Sequence, residues 1–85
     1  MWQLDYSQEA RNYALDSGCP LGPYNEDVLI AIEALALTPG GVPPADYKED
    51  PPGYYVWEVA GHLVRFQRSL TPHPRLYIFA IYPIQ

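Results

Sequence analysis

The sequence predicts an α+β domain in the order strand, helix, helix, strand, strand, strand, with two N-terminal helices packed on one face of a small, mostly antiparallel sheet. Three observations predict it. Apolar and polar residues alternate over residues 2–6, and again in two runs that meet at Ala60-Gly61. Between these, Val28, Leu29, Ile32, Leu35 and Ala36 recur at helical spacing. The chain ends in a continuous apolar run over residues 76–81. Helices grouped before strands point to segregated layers in one domain spanning residues 1–85.

In the first strand, Trp2, Leu4 and Tyr6 fall on one side and Gln3 and Asp5 on the other. Ser7 reads as an N-cap, with Glu9 favourably placed against the helix dipole, and a helix is predicted over residues 8–16 with Gly18 as its left-handed terminus. Its apolar stripe is thin: Ala10, Tyr13 and Ala14. Residues 19–24, with two prolines and a glycine, read as a loop. Asn25 then caps a second helix over residues 26–37, expected to be the principal cover for the sheet. Residues 38–53 hold five prolines and three glycines, which predicts a long surface connection without a regular core.

A two-residue turn at Ala60-Gly61 places Trp57 opposite Val64 and Tyr55 opposite Phe66. Those four, with Val59, make an apolar face. Glu58, Arg65 and Gln67 share the other with Tyr54, Val56 and Leu63. An odd-length turn would mix the two sets, so the even register is expected. After the turn Thr71-Pro72-His73-Pro74, the final apolar run suggests a strand covered on both faces.

At 85 residues the chain can bury only about 60–65% of its unfolded surface, so its core is small and its stability modest or helped by a partner. Eight tyrosines, two tryptophans and two phenylalanines suit both a core and an interface. Cys19 is the only cysteine, which rules out an internal disulfide and fits a reducing cytoplasm. No signal peptide or membrane span is read, and no metal or cofactor is expected. Residues 1–52 carry nine carboxylates against Arg11 and Lys48, a balance of −7; residues 53–85 carry Arg65, Arg68 and Arg75 against Glu58, a balance of +2. An acidic whole argues against non-specific nucleic-acid binding and leaves room for one localised anionic site.

The opening Leu4-Asp5-Tyr6-Ser7-Gln8-Glu9-Ala10, together with Tyr55-Val56-Trp57-Glu58-Val59, Val64-Arg65-Phe66 and the last apolar strand, resembles the RelE/ParE superfamily of bacterial toxins. It is most similar to the HigB-like branch, which has Trp-Glu ahead of the arginine strand. The resemblance implies a toxin of a type II toxin–antitoxin pair, partnered by an antitoxin. Ribonuclease members cut messenger RNA at the ribosome without a metal, and others poison DNA gyrase. Arg65 matches the arginine that contacts the scissile phosphate in the ribonuclease members. The departures are Glu58 where those members add bases, and a tail, Tyr82-Pro83-Ile84-Gln85, without a basic residue.

RNA cleavage by 2′-hydroxyl attack needs proton shuttles as well as positive charge. Arg65 is too basic to shuttle protons, so the candidates are His62, His73 and Tyr82. His62 reads either as a catalytic residue or as a solvated loop histidine, and His73 either as an RNA contact or as turn chemistry. Arg68 and Arg75 flank the 71–74 turn and extend a positive rim toward RNA or an acidic partner; solubility explains them equally well. Tyr54, Tyr55 and Tyr77 suit base stacking or packing. For Arg65 the bland alternative is a cross-strand ion pair with Glu58. Three functions follow: a toxin with messenger-RNA endonuclease activity, a non-catalytic protein-binding module of the same fold, or a gyrase-directed toxin, which needs a protein contact and no nuclease chemistry.

Overall fold

The computed structural model describes residues 1–14 and 22–84. Seven elements follow one another: β1 (Gln3–Tyr6), α1 (Gln8–Ala14), α2 (Gly22–Ala36), β2 (Tyr47–Glu49), β3 (Tyr54–Val59), β4 (His62–Ser69) and β5 (Arg75–Pro83). The strands form one mixed sheet in the order β1-β5-β4-β3-β2. Only β1 runs parallel to its neighbour, pairing Leu4 with Leu76 and Tyr6 with Ile78. The fold is therefore α+β, with one strand more than the sequence predicts.

The hairpin has the predicted register: Trp57 faces Val64, Tyr55 faces Phe66 and Glu58 faces Leu63. Its two turn residues, Ala60 (φ 52°) and Gly61 (φ 72°), are both left-handed, as a two-residue turn matched to strand twist requires. Alternation then does the rest. Tyr55, Trp57, Val64, Phe66, Leu76 and Ile78 point to one side and join Ala10, Val28, Ile32 and Leu35 of the helices in a single core. Tyr55 stacks on Phe66 at 5.0 Å between ring centroids, and Trp57 meets Phe66 edge-on at 6.4 Å.

Ser7 caps α1 as predicted, its Oγ accepting from the Ala10 N–H at 3.1 Å. The same hydroxyl donates to the Phe79 carbonyl at 2.8 Å. That carbonyl lies where the β4–β5 ladder slips: Arg65 pairs with Ala80 but Phe66 with Ile78, so Phe79 is the extra residue of a β-bulge. The cap thus satisfies an acceptor on the bulged residue.

Four expectations are corrected. The arrangement of the helices differs from the expected one: α1 lies nearest the sheet, over β5 and β1, whereas α2, expected to be the principal cover, makes its closest approaches to α1 and β1 while supplying Val28, Ile32, Leu35 and Ala36 to the core. Ala10, fully buried on α1, lets that backbone come close, whereas α2 reaches the core through the longer Ile32 and Leu35. Second, α2 begins at Gly22, so Gly22, Pro23 and Tyr24 are helical rather than loop and Asn25 lies inside the helix instead of capping it. Proline is tolerated in a first turn because its missing N–H has no partner there in any case. The predicted end of the first helix, its Gly18 terminus and the Cys19 loop lie outside the described residues.

Third, residues 47–49 form β2, an exposed edge strand pairing Lys48 with Val56 inside the segment expected to be irregular. Three residues are too few to show a period, and the flanking prolines hide them. Fourth, β5 is not covered on both faces. Leu76 and Ile78 are buried beneath the helices, whereas Tyr77 and Phe79 stay half-exposed on the opposite side. Among the described residues no helix is long and apolar enough to cross a membrane.

Candidate functional site

The side of the sheet away from the core carries Tyr54, Val56 and Glu58 of β3, Leu63, Arg65 and Gln67 of β4, and Tyr77 and Tyr82 of β5. Alternation places all of them there. Phe79 of β5, in phase with Tyr77, lies there too, and its ring is the floor beneath Arg65: the guanidinium carbon stands 5.3 Å from the ring centroid. Tyr54 meets the same ring edge-on at 6.4 Å, and Tyr77 lies tilted at 6.4 Å on its other side. Arg65 is exposed, and the alternative of an ion pair with Glu58 is not realised; among the described residues Arg65 has no carboxylate partner. A shallow depression of about 160 Å³ is bordered by Asp50, Pro51, Tyr54, Val56, Arg65 and Phe79. Beside it, Lys48, Val56, Glu58 and Leu63 border a second of about 350 Å³.

The other predicted site residues do not gather around Arg65. His62 is 1% exposed and lies on the core side, not in solvent. Its Nδ1 is 2.7 Å from the Ala60 carbonyl, which can only accept, so Nδ1 carries the proton. In the neutral imidazole Nε2 then accepts from Tyr13 Oη at 2.8 Å. Both nitrogens are engaged in tying the hairpin turn to α1. His62 shares its parity with Val64 and Phe66, a signal in the sequence that places it inward.

Arg68 also faces the core side. Its Nε donates to the Gly40 carbonyl at 2.7 Å, and its guanidinium carbon sits 4.7 Å from the Trp2 ring centroid. It clamps the 38–46 loop over Trp2, whose Nε1–H donates to the Pro39 carbonyl at 3.3 Å. An odd separation from Arg65 within one strand already puts the two arginines on opposite faces. Arg75 does share the open face, but it lies about 13 Å along the strands from Arg65. There it meets the Asp5 carboxylate at 3.6 Å. His73 is exposed in the 71–74 turn. Tyr82 shares the open face, opposite Leu63.

Sequence reasoning missed two partners: Phe79 under Arg65 and Tyr13 on His62. Parity with Arg75 and Tyr77 already places Phe79 on the open face; what the sequence does not show is the strand pairing that brings it under Arg65. Burial raises the Tyr6 hydroxyl above its ordinary pKa, with the Glu33 charge adding to the effect. Tyr55 is raised too, by burial first and then by Glu49, with Arg68 opposing. Among the described residues no cluster of three or more His, Cys, Asp or Glu side chains could hold a metal ion.

Fold and site together define a small α+β domain with a five-stranded mixed sheet whose open face presents one guanidinium on an aromatic floor. Compared with known protein families, curated proteins and solved structures, the chain finds no match.

Proposed function

We propose that the protein is a toxin-type component of the RelE/ParE kind that works by binding a protein partner rather than by cutting RNA, with the open sheet face around Arg65 as its contact surface. The observation that carries this reading is the separation of charge from proton chemistry. Arg65 stands exposed on Phe79, while His62 is buried across the sheet with both nitrogens engaged. An exposed guanidinium resting on Phe79, with Tyr54 and Tyr77 against the same ring, is suited to anchoring a carboxylate-bearing segment, because arginine and aromatic residues concentrate binding energy at interfaces. The resemblance at residues 4–10 and 55–66 supports the toxin-type class, an antitoxin as one partner and a cytoplasmic setting.

A second reading, the ribosome-dependent endonuclease, draws support from one observation. Arg65 has no carboxylate partner among the described residues, and Tyr82 shares its face. Induced expression in a bacterial host distinguishes the two. Growth and messenger-RNA ends at translating ribosomes are read for the parent and for Arg65→Ala. The binding reading expects no new in-frame cuts, with any arrest relieved by Arg65→Ala; arrest of this kind fits a protein target such as gyrase. New cuts that vanish in Arg65→Ala would overturn it in favour of the nuclease.

A further inference from the structure

The solvent side of α2 carries a pattern that the fold does not use. Ile30 is 58% exposed and Leu37, just past the helix end, 68%. They stand seven residues apart, about 10 Å along a helix axis. Glu26 and Glu33, both exposed, precede them by four residues each, and Asp27 and Ala34, also exposed, by three. In heptad terms Ile30 and Leu37 occupy d and Ala34 one a position, with Glu26 and Glu33 at g and Asp27 at the other a, so a short apolar seam is edged and closed by carboxylates. The seam opens at its C-terminal end into a groove of about 400 Å³ lined by Met1, Leu4, Ala36 and Leu37, with Glu33 at its rim.

The charge on this seam is one-sided. No Lys, Arg or His occurs in α2, so Glu26, Asp27 and Glu33 have no partner four residues away. A second copy of the chain would bring carboxylate against carboxylate, and an anionic membrane would be repelled. We propose that this face docks an amphipathic helix of a partner protein, with apolar residues at heptad spacing packed on Ile30, Ala34 and Leu37 and flanking lysines or arginines paired with Glu26 and Glu33. The surface lies on α2 and stands apart from the Arg65 face, so it does not rest on the function proposed above.

The test is calorimetric titration of the full chain with three synthetic peptides of equal length. One carries leucines at a and d with flanking lysines, one replaces the lysines by glutamates, and one scrambles the lysine peptide. The lysine helix is expected to bind at least about tenfold more tightly than either control and to weaken with salt. Ile30→Asp with Leu37→Asp is expected to lose at least about tenfold. Glu26→Lys with Glu33→Lys should transfer the preference to the glutamate peptide. All four positions are exposed, and circular dichroism verifies that the fold is kept. Arg65→Ala should leave peptide binding unchanged. Equal binding of the scrambled peptide, unchanged affinity in the substituted chains, or no binding of any peptide would each overturn the proposal. So would a dimer in sedimentation that Ile30→Asp dissociates, which would give the face to a second copy, and so would partition onto phosphatidylserine vesicles.

Discussion

At the residue scale, the two most informative side chains are Arg65 and His62, three positions apart on one strand and on opposite faces of it. Their burial assigns them opposite kinds of importance. His62 is a structural tie: its imidazole is fully enclosed and joins Tyr13 on α1 to the Ala60 carbonyl at the turn. Truncation to Ala leaves a cavity and removes both hydrogen bonds of the imidazole, so His62→Ala is expected to lower stability by about 3 kcal/mol in urea unfolding. Arg65 is exposed, and among the described residues its guanidinium rests on Phe79. Arg65→Ala is expected to cost well under about 1 kcal/mol. If the same unfolding series shows Arg65→Ala to be the more damaging change, the division into tie and contact residue fails.

At the element scale, the chain invests in two junctions, the β3–β4 turn and the Ser7 cap. Ala60 holds a left-handed φ of 52° that costs a residue with a Cβ about 1 kcal/mol or more. Relief of that strain outweighs the extra unfolded-state entropy of glycine, so Ala60→Gly is expected to stabilise by about 0.5 kcal/mol. Ser7 bridges the first turn of α1 to the bulge at Phe79, so Ser7→Ala removes two bonds at once, an expected loss of about 1–2 kcal/mol in the same measurement. The hairpin was legible because period-two alternation on both sides of an even turn admits one register. The N-cap was legible because serine before an acidic first turn has few other readings. By contrast, β2 is too short to show a period, and the bulge is a break in a period. The open face was therefore foreseen around Arg65 but not the contact between Arg65 and Phe79, which depends on how β4 and β5 pair rather than on the pattern within either strand. The inward placement of His62 and Arg68 was available from parity alone; their polarity outweighed that signal.

At the scale of the whole molecule, the charge asymmetry along the chain becomes an asymmetry in space. Residues 1–52, with a balance of −7, supply the helices and both sheet edges, β1 and β2; residues 53–85, at +2, supply the three central strands. Carboxylates consequently sit around the rim, and two tyrosines beside it feel them. Tyr6 on β1 is raised by burial and by Glu33; Tyr55, paired to β2, is raised by burial and by Glu49. The sign of the linkage follows. Each hydroxyl ionises at a higher pH in the folded chain than in the unfolded one, so its contribution is intact below the unfolded value of about 10 and is lost as pH rises through the folded value. Stability is thus expected to fall as pH rises above about 10, in proportion to these two groups. Phenylalanine keeps the ring and removes the proton. Tyr6→Phe and Tyr55→Phe should therefore each flatten the alkaline limb of the urea midpoint while changing the midpoint at pH 7 far less. Curves that stay parallel to the parent through the alkaline range would show that neither burial nor the neighbouring carboxylates shift either hydroxyl on folding. A flattened limb in Tyr6→Phe that disappears when Glu33→Gln is the background would trace that part of the effect to the same carboxylate that borders the α2 groove.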